Sequence, residues 1–442
     1  MNTRRQHVFQ FIGMRLASAG LLICMVFLAS FVAQDDVVAV KDARYYTQQA
    51  INAYRAKDYT GYLENIKRAQ ALRPDHPTIM YNLAGAYALN GKGIEAIEWL
   101  KRVASMGLIY PALEDEDFTT IKDSAEFKFL LKQFEANKLP VTNSVQAFTL
   151  EEKGLVTEGL AYDPLTGTFF VSSVHKRKIV SVDKLGNVRD FSTKQDVLWS
   201  VLGMKVDVKR RHLWVCTAAL PQMINFTDGD RNRTGVYKYD LTTGKLVKRY
   251  LLPDTSKGHT FGDLTIHPSG DVYVTDSVTP AIYLISRIMD ELELYAGPEL
   301  FASPQGLDIS TDGKKLFVAD YSRGIFVFDV KSRESVKMEQ PANVSSLGID
   351  GLYFHNSGLI AVQNGVKPNR IVRLILNKAM NRVERMEVIE ANNPLFDEPT
   401  LGVVFKGYFY FIANSQWESV SEKGQLAPME KLSKPLVLKA QL

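Results

Sequence analysis

Cysteine is nearly absent: Cys24 and Cys216 are the only two in 442 residues. A chain cut after Ala33 keeps one thiol and can form no internal disulfide, so its stability has to come from a large core. Cys216 reads as a packed thiol rather than a nucleophile. A charge excess of one sign is missing too. Lys and Arg number 53 against 49 Asp and Glu, and the basic runs are as short as HKRK at 175–178 and KRRH at 209–212. That balance gives no footing for a nucleic-acid surface. There is no H-E-x-x-H, paired CxxC, Walker phrase, G-x-G-x-x-G after a strand, or G-x-S-x-G elbow. Zinc, nucleotide-phosphate and serine-elbow chemistry therefore have no sequence support.

One stretch lacks charge altogether. Arg4, Arg5 and Arg15 precede LASAGLLICMVFLASFVA at 16–33, the layout of a secretory signal. As a helix it reaches about 27 Å, just short of a bilayer core of about 30 Å. Phe31 departs from the small-x-small pattern for a cut after Ala33, so a retained membrane anchor stands beside a cleaved signal peptide. Ile23 ahead of Cys24 argues against a lipoprotein, and His7 and Val8 weaken the twin-arginine hint of TRRQ at 3–6. Residues 1–33 are thus expected to export the chain to the periplasm or the extracellular side.

Residues 42–137 read as a helical module, with helical spacing in paired segments over 42–108. In HPTIMYNLAGAYALNGKGIEAIEWLKRVASMG at 76–107, Leu83, Ala84, Ala86 and Tyr87 share a helix, Gly91 breaks it, and Ile94, Ala96, Ile97 and Leu100 stripe the next. Small residues at a helix crossing with a Gly turn resemble a tetratricopeptide repeat. Residues 45–75 look like a looser copy and 115–134 like a closing helix. Two repeats and a cap are few for a free-standing solenoid. The module either docks on the rest of the chain or binds a protein partner in its groove. Pro140 and VTNS at 141–144 read as a linker.

The remainder, 145–442, is dominated by a repeated phrase: EGLAYDPLTGTFFVSS at 158–173, then copies at 202–217, 262–277, 305–321 and 350–364, fading at 399–415. The marker residues Leu160, Met204, Leu264, Leu307, Leu352 and Leu401 are 44, 60, 43, 45 and 49 residues apart. This is the period of a propeller blade. Each phrase supplies an apolar strand, a turn and a second β-rich strand, and a hairpin follows. Four antiparallel strands in six units predict a mainly β fold, a six-bladed β-propeller preceded by a small helical module. The last unit lacks a fourth strand before the chain ends, and VQAFTLE at 145–151 is expected to supply it.

Antiparallel topology puts the start of each first strand and the end of each second strand on one face. That face collects Glu158, Asp263, Gln305 and Asp350 from strand starts, and Asp276, Asp320, Asn364 and Asn414 from second-strand ends. The loop 219–234 overhangs it as a candidate wall or lid. His259 enters the same face, whereas His267 precedes a turn on the opposite one. Carboxylates crowded at one mouth need compensation, and a hard cation with oxygen ligands is the natural one.

At these residues the chain resembles the regucalcin and gluconolactonase family of six-bladed propellers. More distantly it is similar to diisopropyl fluorophosphatase, paraoxonase and strictosidine synthase-like proteins. The likeness spans about 150–440 and rests on EGLAYD, GDLTIHPSGDVYVTDS, PQGLDISTDGKKLFVADY and DGLYF. It implies a divalent cation, most often calcium, held at the channel by Glu158, Gln305 and Asp350, with Asp263 as a catalytic residue, a base or a group that orients substrate or water. Asp276, Asp320, Asn364 and Asn414 are then expected to meet the substrate. The implied activity is hydrolysis of a small lactone or ester. Two positions depart from the family pattern: Gly262 and Gln305 stand where it has asparagine. The competing expectation is a non-catalytic binding scaffold.

Overall fold

The computed structural model describes residues 42–421 and 423–442, so the charge-free segment 16–33 lies outside the described residues. Among the described residues no helix is long and apolar enough to cross a membrane.

Five helices come first: α1 (Ala43–Arg55), α2 (Tyr59–Leu72), α3 (Pro77–Leu89), α4 (Gly93–Ser105) and α5 (Ala125–Ala136). Their starts are chemically marked. Asp42, Asp58 and Ser124 each accept a hydrogen bond from a first-turn amide, and Pro77 opens α3 at a position where no amide is needed. Gly91, with φ +71°, makes the break between α3 and α4. The helices pack in successive pairs, α1 on α2 and α3 on α4. Buried alanines such as Ala84, Ala88 and Ala96 allow the close approach.

Six sheets of strands follow, each containing four consecutive antiparallel neighbours. We number them blades 1 to 6, starting at Leu160, Ser200, Phe261, Pro304, Ile349 and Gly402. The first strands of successive blades touch around a complete ring, so they line the central axis. Second and third strands such as Lys315–Asp320 and Gly324–Asp329 are almost wholly buried, while fourth strands such as Ser335–Lys337 face water. This is why the sequence reads as apolar runs followed by polar hairpins. Large apolar side chains fill the gaps between neighbouring blades. Leu307 and Phe326 meet Tyr273 and Ile282 between blades 3 and 4. Cys216 sits fully buried between blades 2 and 3, where burial pushes its thiol pKa up, as expected of an inert packed cysteine.

Val145–Thr149 pairs antiparallel with Leu436–Gln441 and completes blade 6, so the ring closes with strands from both ends of the propeller sequence. Just upstream, Val141–Thr142 adds a fifth strand to blade 5.

The helical module is docked on the propeller. Buried Arg370 donates through Nη1 to the Met106 carbonyl at 2.8 Å and through Nε to Gln363 at 2.7 Å. The Ile109 amide donates to Lys367 O at 2.7 Å, Val366 joins the core of the module, and Arg73 reaches the Ser322 carbonyl. Ser322, Val366 and Lys367 lie in loops between second and third strands. The helices therefore stand on the rim of blades 4 and 5, on the face where the first strands begin.

Candidate functional site

The repeated phrase builds the site through an irregularity. In blades 2, 3, 4 and 5 the pairing of first and second strands slips at the start of the phrase, between Val201 and Met204, Phe261 and Leu264, Pro304 and Leu307, and Ile349 and Gly351. Such bulges turn side chains out of the regular alternation, here into the mouth of the axial channel. A cavity of about 120 Å³ lies there, lined by Glu158, Gly262, Asp263, Gln305, Asp350 and Trp417, with Leu202, Leu220 and Leu401 among the apolar contributors. All four residues read as metal ligands or catalytic residue meet in this one cavity. Leu220 comes from the loop 219–234, which therefore acts as a wall.

Asp263 occupies the place that glycine holds in the phrases of blades 1, 2, 4 and 5. Its Oδ1 accepts from the Leu264 amide at 2.9 Å, and its Oδ2 is buried with no hydrogen-bond partner. Burial pushes its pKa up to about 6, with Lys205 acting in the opposite direction. Glu158 Oε2 accepts from Trp417 Nε1 at 2.5 Å, and its backbone carbonyl accepts from Thr400 and Leu401, tying blade 1 to blade 6. Burial, then Asp350, raises the Glu158 pKa well above the usual carboxylate range. Asp350 Oδ2 accepts from Asn364 Nδ2 at 2.8 Å. Burial and then Glu398 push its pKa up to about 7. Gln305 donates through Nε2 to Ser303 Oγ at 3.1 Å, which leaves its amide oxygen free of that contact.

The residues assigned to substrate are placed differently. Asp276 is fully buried, accepting from the amides of Thr260, Val278 and Thr279, with Oδ2 at 2.5 Å from His259 Nδ1. Asp320, also fully buried, accepts from the amides of Ala302, Ser303, Ser322 and Arg323. Asn414 bridges the Lys434 carbonyl and the Leu436 amide. Asn364 joins Asp350 to the Tyr321 hydroxyl. None of these four lines the cavity: their polar atoms hold the loops that surround it. His259 lies beside cavity residue Thr260, and its Nε2 is buried without a partner. His267 bonds Ser269 and the Gly313 carbonyl in its distant turn.

Two contributors escape the sequence reading. Glu398 stands one residue ahead of Pro399, with φ +59°, and its pKa is pushed up to about 7 by burial and then by Glu418. Its field raises both Asp350 and Glu158. The sixth copy of the phrase is too degenerate to reveal it. Trp417 comes from the excursion between the second and third strands of blade 6, where no repeat guides an alignment.

No protein-family model and no curated protein matches this chain. Solved structures similar to it include a gluconolactonase from Xanthomonas campestris, 13% identical over 68% of this chain and 96% of that one, with a TM-score of 0.44. A luciferin-regenerating enzyme is 12% identical over 68% and 95%, TM-score 0.46. The PQQ-bound aldose sugar dehydrogenase of Streptomyces coelicolor is 14% identical over 68% and 99%, TM-score 0.46. Identities this low carry no chemistry from one protein to another.

Proposed function

We propose that the channel mouth is a divalent-cation-assisted hydrolase site for a small lactone or ester. One observation carries this reading. Glu158, Asp263 and Asp350 share a buried cavity, Glu398 adds its charge beside them, and among the described residues none of the four makes an ion pair with a lysine or arginine, Lys205 and Lys367 acting only at longer range. Carboxylates buried and unpaired are costly unless protonated or bound to a cation.

The donor chemistry fits such an ion. Glu158, Asp350 and the Gln305 amide oxygen would hold it, and an all-oxygen set favours calcium. Among the described residues no three His, Cys, Asp or Glu side chains stand close enough to hold an ion together, so the amide is a necessary third donor. When bound, a cation there supplies polarisation of the carbonyl and a more acidic water. The chain's own part is proton handling and exclusion of water. Asp263, with one unpartnered oxygen and a pKa near 6, takes a proton from water and returns it to the leaving alkoxide. Leu202, Leu220 and Leu401 keep the mouth apolar. A cavity of about 120 Å³ is below the roughly 300 Å³ of pockets for drug-sized ligands, so the substrate class is small. Export by residues 1–33 and a protein partner for the helices belong to the same proposal and rest on the sequence.

The competing scaffold reading draws on Gly262, which contributes no side chain, and on Trp417, which already occupies Glu158 Oε2. Elemental analysis of the purified protein, with a lactone and aryl-ester panel assayed with and without chelator, separates the two. The hydrolase reading expects stoichiometric cation, chelator-sensitive turnover, and loss of both in Glu158→Gln. Asp263→Asn should keep the cation and lose about 10²–10⁴-fold in kcat. No cation and no turnover would leave the scaffold.

A further inference from the structure

The opposite face of the propeller carries a second cavity, larger than the channel mouth. Its volume is about 320 Å³, and it lies between blades 2 and 3, where Arg210, Trp214, Lys238, Gly270, Arg287 and Asp290 meet. Arg210 and Gly270 belong to the turns joining first to second strands, and Arg287 and Asp290 to the turn after the third strand of blade 3. No residue lines both this cavity and the channel mouth.

Its charge is lopsided. Arg210 is neutralised by Asp207 at 3.0 Å and also bonds the Pro268 and Ser269 carbonyls. Asp290 is taken up by Lys248 at 2.7 Å and by the Tyr250 hydroxyl at 2.5 Å. Lys238 and Arg287 are left. Among the described residues neither has a carboxylate partner, and Lys238 instead hovers 5.0 Å from the centre of the Trp214 ring. Gly270 makes the crowding feasible. A Cβ there would lie 2.5 Å from Arg210 Cζ and 2.8 Å from Arg287 Cδ, so the missing side chain is what lets two arginines converge on one turn.

Lys238 feels Asp290 at longer range, but neither it nor Arg287 makes an ion pair among the described residues; two such cations at the edge of a cavity match the charge of one phosphate monoester, and a guanidinium fork suits its oxygens. The wall formed by Trp214 and Ile285 suits a planar or apolar body attached to that phosphate. We propose that this cleft is an anion site that binds the phosphate monoester group of a small molecule or of a lipid headgroup, with Lys238 and Arg287 as the recognition residues.

The test uses the full chain and a Lys238→Ala/Arg287→Ala double variant, Arg287 being exposed and Lys238 half-buried, with an unchanged Tm confirming the fold. One arm titrates phenyl phosphate by calorimetry at low salt. The other measures co-sedimentation with phosphatidylcholine vesicles with and without phosphatidic acid, scored as the difference between chain and variant. Saturable phenyl phosphate binding that weakens at least about tenfold in the variant and declines with salt supports a soluble monoester. A phosphatidic-acid-dependent difference without phenyl phosphate binding supports the headgroup. Absence of both, or equal binding by the variant, overturns the site. Neither arm depends on the channel residues, so the outcome is independent of the hydrolase reading.

Discussion

At the residue scale, the crowded carboxylates make the protein a pH-sensitive structure. Asp350, near 7, and Asp263, near 6, hold protons in the folded chain that an unfolded aspartate releases near about 3.9. Between those values the native state binds more protons than the unfolded one. Stability from this cluster is therefore fully present below about pH 4 and is lost as pH rises through 6 to 7. Every tenfold gain in proton affinity on folding is worth about 1.4 kcal/mol. Cation-free protein should show a higher Tm at pH 5.5 than at pH 8, and Asp350→Asn should narrow that gap by raising Tm at pH 8. Added calcium should narrow it in the parent chain but not in the variant. Thermal unfolding followed by circular dichroism at the two pH values checks this, and a flat profile in the parent would contradict the raised proton affinities. Position within the phrase made Glu158 and Asp350 legible as a pair. Glu398 was not legible, because its approach to Asp350 depends on a left-handed turn in a copy whose pattern has faded.

At the scale of elements, the first strand of a blade does two jobs. In blades 2 to 5 its bulge aims side chains at the channel, and the glycine of the phrase, where present, lets the neighbouring blade approach. Gly159 and Gly306 show the constraint: a Cβ at Gly159 would collide with the Leu202 carbonyl oxygen, and one at Gly306 would lie 2.5 Å from the Asp350 carbonyl oxygen. Backbone cannot yield as a flexible side chain can. Gly306→Ala should cost at least about 1–3 kcal/mol, read as a lower denaturation midpoint. Because Gln305 rides on the same bulge, the variant should also lose cation affinity, whereas Gly407→Ala, strained by its φ of +74° but far from the channel and with nothing within 4 Å of its Cβ, should lose stability and leave affinity unchanged. The repeated glycine was visible in the sequence, but its reason is a contact between residues more than forty positions apart. The placement of Asp276 and Asp320, expected from the sequence to meet the substrate, has a similar origin. A carboxylate after an apolar strand can face the channel or cap its own loop, and backbone amides decide in favour of the loop.

At the scale of the molecule, the ring is sealed by one strand from each side of the propeller sequence. Removing 436–442 deletes the strand that pairs with both Val145–Thr149 and Tyr408–Ile412. The shortened chain should lose cooperative unfolding rather than merely shift its midpoint, which a melt by circular dichroism would register. A cooperative transition near the parent Tm would refute closure as a requirement. The same scale explains the helical module. Arg370 and the 364–369 loop anchor it to the rim of blades 4 and 5, so it stands beside the channel mouth instead of extending away. The six-fold β repeat, the paired helices, the closing strand and the axial position of the first acids are all written in the chain, because periodicity records which face each residue must bury. Three features arise from tertiary packing alone: the approach of Glu398 to the cavity carboxylates, the reach of Trp417 to Glu158, and the place of Lys238 and Arg287 at one cleft between two blades. Those contacts join loops distant in the chain, where no local period constrains the outcome and burial and charge are set by what packs alongside.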